Sequence, residues 1–278
     1  MTLPRSDTEA GERALALQHL LDALRGMPGV QAATAMSELP FNRLPQRFNT
    51  VVEHDTAAAG SSVATVEYYQ FVMSDYFTTM KIPIVAGRAF DTIDTTSNGR
   101  VVIVNETLAN RLWKGRDPIG QRLRPNLGSS IGTSTNPWHT VIGVARDVKE
   151  AGVDRDAGAE LYLFIDQPGP PIDDTQRWVT TAPPTMHIVL RTSLPPSTLA
   201  PSLERAVHSV NPSVPIVGLR DMDSAFGESI GQRRLLAQLL AAFAGLALLL
   251  AVVGTYGLLS FMSRCSSLYH AFAKASAN

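Results

Sequence analysis

The residues able to do chemistry are scattered along the 278-residue chain rather than gathered into a motif. Six histidines stand far apart: His19, His54, His139, His187, His208 and His270. None forms a His-Glu-x-x-His pair or any other spacing that would set two imidazoles on one metal. No Gly-x-Ser-x-Gly turn presents a nucleophilic serine. No Gly-x-x-x-x-Gly-Lys-Ser/Thr loop is present to cradle phosphates. "DRDAGAE" (Asp154 to Glu160) places carboxylates at alternate positions before a glycine. A calcium loop needs a third ligand at its fifth position and a longer approach to the glutamate, so this stretch reads as a solvated turn. "DTIDTTSNG" (91–99) reads likewise as an acidic loop. Tyr68, Tyr69, Tyr76 and Phe77 are dense enough to line an apolar groove, although core packing explains them better. Cys265 is the single cysteine, which excludes an internal disulfide and reads as a small apolar residue. No catalytic, cofactor-binding or metal-binding residue is therefore assigned. Neither nucleotide hydrolysis by this chain alone nor a bound metal is expected.

Composition narrows the class. Charged residues make up 18% and apolar residues 45%, and the formal net charge is −1. Nucleic acid, which requires a basic face, is not an expected partner.

The strongest feature is physical rather than chemical. No charged residue occurs between Arg234 and Arg264, and the run from Leu235 to Met262 is 28 residues long. As a helix at ~1.5 Å per residue it covers roughly 42 Å, more than a ~30 Å hydrocarbon core. It reads as a membrane span, with the excess taken up by tilt or by a stalk at the Arg233 end. One continuous helix is expected over 228–262. Small residues recur every four positions, at Ala237, Ala241 and Gly245 and at Ala247, Ala251 and Thr255, as in closely packed membrane helices. Arg233 and Arg234 before the span balance Arg264 and Lys274 after it, so charge does not fix the orientation. The N-terminus shows no apolar core of a signal peptide.

The preceding residues alternate helix and strand patterns. Ser6 and Glu9 are spaced as a capping box, and Leu17, Leu20, Leu21 and Leu24 make residues 9–25 amphipathic. "VQAATAM" (30–36) and "ATVEYYQFV" (64–72) read as strands. Near the other end, "MHIVLRT" (186–192), a helix over 197–210 and the strand-like "IVGLRDM" repeat the pattern. Between them, Ser74 is placed to cap a short helix. Gly87 marks a bend after Pro83, and Asn105 is placed to cap a helix carrying Leu108 and Leu112 inward. Residues 138–148 and 159–165 are β-rich. The fold class is α+β: a split βαβ layer with an inserted mixed β-rich subdomain, followed by one C-terminal transmembrane helix. The expected units are 1–72 with 173–225, an insertion at 74–167, the stalk and span at 228–262, and a tail at 263–278.

Several stretches resemble the MacB-like periplasmic core domain of FtsX-like ABC transporter permeases. They are "SDYFTTMKIPIVAGRAFDTID", "VVIVNETLANRLWKGRDPIGQRLR", "HTVIGVARDVKEAGVD" and "ELYLF", followed by "HIVLRTSLPPSTLAPSLERAVHSVNPSVPI" and the segment through the span. They succeed one another in family order across roughly residues 10–262. The resemblance implies an extracytoplasmic domain on the periplasmic side of the inner (plasma) membrane. It implies an ABC ATPase, as a separate subunit or domain, as partner, together with other permease helices or a homodimer partner and membrane lipid. It implies coupling of ATP-driven motion to an efflux or envelope process, without catalysis by this chain. Met1 falls where the stalk of a preceding helix belongs, and "SRCSSLYHAFAKASAN" stands where the family has a basic cytoplasmic segment, so the chain reads as a permease fragment. The competing readings are a membrane-anchored binding module and, more remotely, a membrane-bound hydrolase.

Overall fold

A computed structural model describes residues 8–40, 43–53, 61–96, 99–126, 137–152, 155–165, 167, 185–210, 218–219, 221–224, 227 and 238–257. The chain divides into two compact units, Met1–Met222 and Asp223–Asn278.

Among the described residues the first unit is α+β and is organised by one wide mixed sheet. In chain order its elements are α1 (Thr8–Arg25), β1 (Val30–Met36), β2 (Phe48–Glu53), β3 (Ser61–Val66), β4 (Tyr68–Val72) and α2 (Tyr76–Met80). There follow β5 (Ile84–Gly87), α3 (Ile93–Thr96), β6 (Arg100–Asn105), α4 (Glu106–Trp113) and β7 (Arg122–Pro125). The unit continues with β8 (His139–Ala145), β9 (Glu160–Phe164), β10 (His187–Thr192) and α5 (Pro196–Val210). The strands run β10-β1-β4-β9-β6-β8-β7-β2-β3, and β5 pairs with β8 beside β7. The β4/β9 and β6/β8 pairs are parallel and the remaining pairs antiparallel.

The helical periodicity of the sequence becomes the packing of one end of the sheet. Leu17, Leu20, Leu21 and Leu24 of α1 meet Leu203 and Val207 of α5 over Ala33 and Ala35 of β1. Small alanines on the strand let both helices sit close. The opposite face carries Met36, Val72, Tyr76, Phe77, Ile103 and Tyr162. Strands covered on both faces read as continuous apolar runs, which is why residues 33–36 are all buried. A third core forms around Val102, Val104, Leu108, Trp113, Leu123, Val141, Leu161 and Leu163.

Several details differ from the sequence reading. Residues 64–72 are two strands rather than one. The amides of Glu67 and Tyr68 both bond the Ala159 carbonyl at 3.0 Å, kinking the chain there, and β3 then pairs with β2 while β4 pairs with β9. Within the one sheet, β4 pairs with β9 and β2 with β7. Its thinnest joint is the β1/β4 contact, a single residue pair, Met36↔Val72. Ser74 does not cap α2. Asp75 holds the cap position in a left-handed conformation (φ 62°) without a side-chain cap bond, while the Ser74 carbonyl accepts from the Thr34 hydroxyl at 2.9 Å. Within "IVGLRDM", Gly218, Leu219 and Asp221 lie outside any strand and 222–224 are helical. Ser6 and the stalk residues 228–237 lie outside the described residues.

Gly87 does mark a bend, at φ 70°, and a Cβ there would lie 2.1 Å from the Ile142 carbonyl oxygen on β8. Gly87→Ala is expected to destabilise the unit by about 1–3 kcal/mol, since left-handed strain and a backbone clash add. Thermal unfolding of the two proteins checks this; an unchanged midpoint would show that β5 is free to shift.

The second unit contributes α6 (Gln238–Gly257), apolar and exposed along its whole length, and long enough to cross a membrane. Among the described residues, and apart from the helix's own backbone, a Cβ added at Gly245, Gly254 or Gly257 would meet no atom within 4 Å.

Candidate functional site

The sequence-derived candidates do not converge. His19 and His208 are exposed on helices, His187 is half-buried on β10, and His139 is buried at the start of β8. His54 and His270 lie outside the described residues. Among the described residues no group of three His, Cys, Asp or Glu side chains could hold a metal. Tyr68, Tyr69, Tyr76 and Phe77 are core residues: Tyr76 and Phe77 pack edge-on at 5.0 Å, and Phe48 stacks on Tyr69 at 4.2 Å.

The two acidic stretches are exposed at Asp91 and Thr92 and at Arg155 and Asp156, as loops should be, but each buries one carboxylate. Asp94 is buried and receives two bonds from Arg88, both at 2.7 Å, plus the Asp91 amide at 2.9 Å. Burial alone would raise its carboxyl, but the Arg88 hydrogen bonds hold it below the ordinary range. At the end of "DRDAGAE", Glu160 is fully buried as the first residue of β9.

Glu160 anchors a polar cluster invisible in the sequence. Arg43, on the connection between β1 and β2, points Nη1 at Glu160 Oε1 (2.7 Å) and at Glu150 Oε2 (3.0 Å). Its Nη2 donates to the Tyr69 carbonyl at 3.0 Å, and its guanidinium lies 4.9 Å from the Tyr68 ring centre. Side-chain exposures of 7% for Arg43, 1% for Glu150 and 0% for Glu160 close the cluster to solvent. The Tyr162 hydroxyl, two residues along the same strand face, donates to Glu160 Oε2 at 2.8 Å. Asn105 terminates β6, and its Oδ1 accepts the Glu160 amide at 2.9 Å. Glu150 Oε1 is buried without a hydrogen-bond partner.

One guanidinium thus faces two carboxyl groups in a dry site. Burial, then the charge of Glu150, pushes Glu160 up to about 8, against the opposing pull of Arg43. Burial also raises Glu150, again against Arg43, and Glu38 adds to the rise. Although burial works against its charge, Arg43 is held above its usual value by Glu160 and Glu150. Paired carboxyl groups with displaced titration are one arrangement that acid–base hydrolases use. General acid–base work also requires reach to a substrate, and here all three side chains are closed off. The arrangement pins two connections, at residues 43 and 150, onto β4 and β9.

His139 is the other displaced group. Burial, with Arg100 adding repulsion, lowers its imidazole to about 4, and Nδ1 lies 2.9 Å from the Pro137 carbonyl. Between about pH 6.5 and pH 4 the unfolded chain therefore binds more protons at this site than the folded one. Stability is expected to rise with pH across that window and to be lost as pH falls through it. His139→Gln should flatten this limb of a plot of unfolding midpoint against pH; an identical slope in both proteins would remove His139 as its cause.

Beside the aromatic core, Phe77, Lys81, Ile82, Pro83, Ile84 and Ala89 line a shallow depression of about 380 Å³. It is mostly apolar and presents no cluster of reactive groups.

The first unit is thus a mixed-sheet α+β unit, in a chain that also carries an apolar helix of membrane-spanning length. The model of the MacB-like periplasmic core domain matches residues 4–209. The chain belongs to that family, the periplasmic domains of ABC transporter permeases, which is not a known enzyme class. Among solved structures, the periplasmic region of MacB from Actinobacillus actinomycetemcomitans is 15% identical, covering 69% of this chain and 72% of that one at a TM-score of 0.43. The extracellular domain of the ABC-type transporter YknZ from Gram-positive bacteria is also 15% identical, covering 76% and 89% at a TM-score of 0.40. No curated protein matches the sequence.

Proposed function

We propose that the chain supplies the extracytoplasmic core domain and one membrane span of an ABC transporter permease. In this role it couples ATP-driven motion of a separate ATPase subunit or domain to the periplasm, in efflux or an envelope process. The observation that carries the reading is the succession, within one chain, of a MacB-like domain over 4–209 and the apolar helix α6. The span lies in the inner (plasma) membrane, with the sheet domain outside the cytoplasm. Its neighbours there are lipid and other permease helices or a second copy of the chain. A helix without proline transmits a displacement that a flexible linker would absorb, and α6 has none. The alternative, a membrane-anchored binding module, would use the depression lined by Phe77 and Ile84.

Two measurements test this reading. A cysteine placed at the exposed Leu44, in a Cys265→Ser background, should react with a membrane-impermeant thiol reagent from outside intact cells, whereas native Cys265 should not. Labelling of Cys265 from outside, with Leu44→Cys protected, would invert the topology. Co-reconstitution with the cognate ATPase should give permease-dependent ATP hydrolysis. Gly245→Leu should reduce that dependence severalfold, because a bulky residue blocks close helix approach. It should leave the sheet domain, a separate compact unit, intact. Unchanged ATP-driven activity in Gly245→Leu would count against coupling through this face.

A further inference from the structure

We propose that Arg43, Glu150 and Glu160 form a single-proton switch whose loaded state clamps the connections at residues 43 and 150 to the sheet, and whose deprotonation releases them. The inference concerns a proton site within the domain and does not depend on what the permease carries.

Charge counting is the first support. Arg43 contributes one positive charge against two carboxyl groups, all buried, so the site is neutral only when one carboxyl holds a proton. Hydrogen-bond geometry gives that proton a place. With Glu160 Oε2 protonated, the 2.8 Å contact to Tyr162 reverses, with the carboxyl donating and the phenol oxygen accepting. Arg43 then pairs with an ionised Glu150. The other titratable groups bearing on the site do not remove the need for the proton. Glu38, after β1, adds negative charge near Glu150. Tyr76 of α2, Tyr162 of β9 and Tyr68 of β4 all ionise above their usual value, burial being the largest cause for each. They stay neutral while the carboxyl titrates.

The architecture decides what moves on deprotonation. Glu160 sits on β9, flanked by β4 and β6 in the middle of the sheet, and cannot follow water outward. Arg43 and Glu150 lie outside regular structure and are tied to each other by the bond from the Arg43 amide to the Glu150 carbonyl, 3.0 Å. Glu150 Oε1 has no donor. A second negative charge in the site therefore gains most if these two connections lift together and admit water.

Infrared spectroscopy of the full chain in nanodiscs, with ¹³C-labelled glutamate, reads the proton directly. We expect a protonated glutamic-acid carbonyl band that disappears with a midpoint near pH 8 and is missing in Glu160→Gln. Hydrogen exchange at the bonded amides of Arg43 and Gln46 should rise through the same range in the wild type relative to Glu160→Gln. Absence of the band on the acid side of the transition would overturn the proton site, and so would its persistence in Glu160→Gln. Equal exchange in the two proteins would overturn the release. If Glu160→Gln does not fold, the wild-type band and its agreement with the exchange midpoint decide alone, and their divergence refutes the switch.

Discussion

Replacing Arg43 by methionine is expected to destabilise the sheet domain by about 3–5 kcal/mol near neutral pH, where the site is closed, because it leaves the ionised Glu150 buried without its counter-charge. The loss should shrink in acid. Without the guanidinium, Glu150 and Glu160 escape the burial penalty by holding protons, which is favourable once pH falls well below their displaced titration range. This pH dependence separates charge from packing, since a lost stem contact of Arg43 on Tyr68 would count equally at every pH. The measurement is thermal unfolding of the detergent-solubilised chain by circular dichroism, where ~1 kcal/mol moves the midpoint of a domain this size by about 2–4 °C. The combined variant Arg43→Met, Glu150→Gln, Glu160→Gln should recover much of the loss at neutral pH. A loss for Arg43→Met that is small, or the same at pH 5 and pH 7, would show that the cluster is not a tightly coupled ion site.

Asn105→Ala should have the next largest effect. This fully buried side chain does three things. Its Oδ1 caps α4 by accepting the Leu108 amide at 2.9 Å and also accepts the Glu160 amide at 2.9 Å, while Nδ2 donates to the Gly158 carbonyl at 2.8 Å. Alanine leaves two amides and one carbonyl unpaired in a dry interior, at about 1–3 kcal/mol each before relaxation, so a net loss of roughly 3 kcal/mol is expected. Aspartate keeps both acceptor bonds but loses the donor to Gly158 and sets a second carboxyl near Glu160. Its stability should therefore lie between asparagine and alanine and should worsen as pH rises. An ordinary helix cap is worth only ~1 kcal/mol. A measured loss for Asn105→Ala near that value would mean that the Gly158 and Glu160 bonds are readily replaced by water.

Asn105 also shows how far the sequence reaches. Its position before "ETLANRLW" marks it as a cap, because capping is a contact between residues three apart. The same locality makes α1, α5 and the strands at 30–36, 139–145, 160–164 and 187–192 legible, since burial of one helix stripe or both strand faces imposes a period on neighbouring residues. The apolar run that becomes α6 is legible for a still simpler reason: a bilayer sets a length, and a length can be counted. The family was likewise readable from the order of its motifs. Tertiary structure alone decided that Glu160 is buried rather than solvated. Its partner Arg43 is 117 residues away, and Glu150 lies 107 residues from Arg43. A carboxylate in a short acidic stretch has the same local pattern whether it faces water or a distant guanidinium. The order of the sheet, with β2 and β3 beyond β7, was hidden for the same reason, because strand pairing is fixed by contacts between faces that local periodicity defines but does not match to one another.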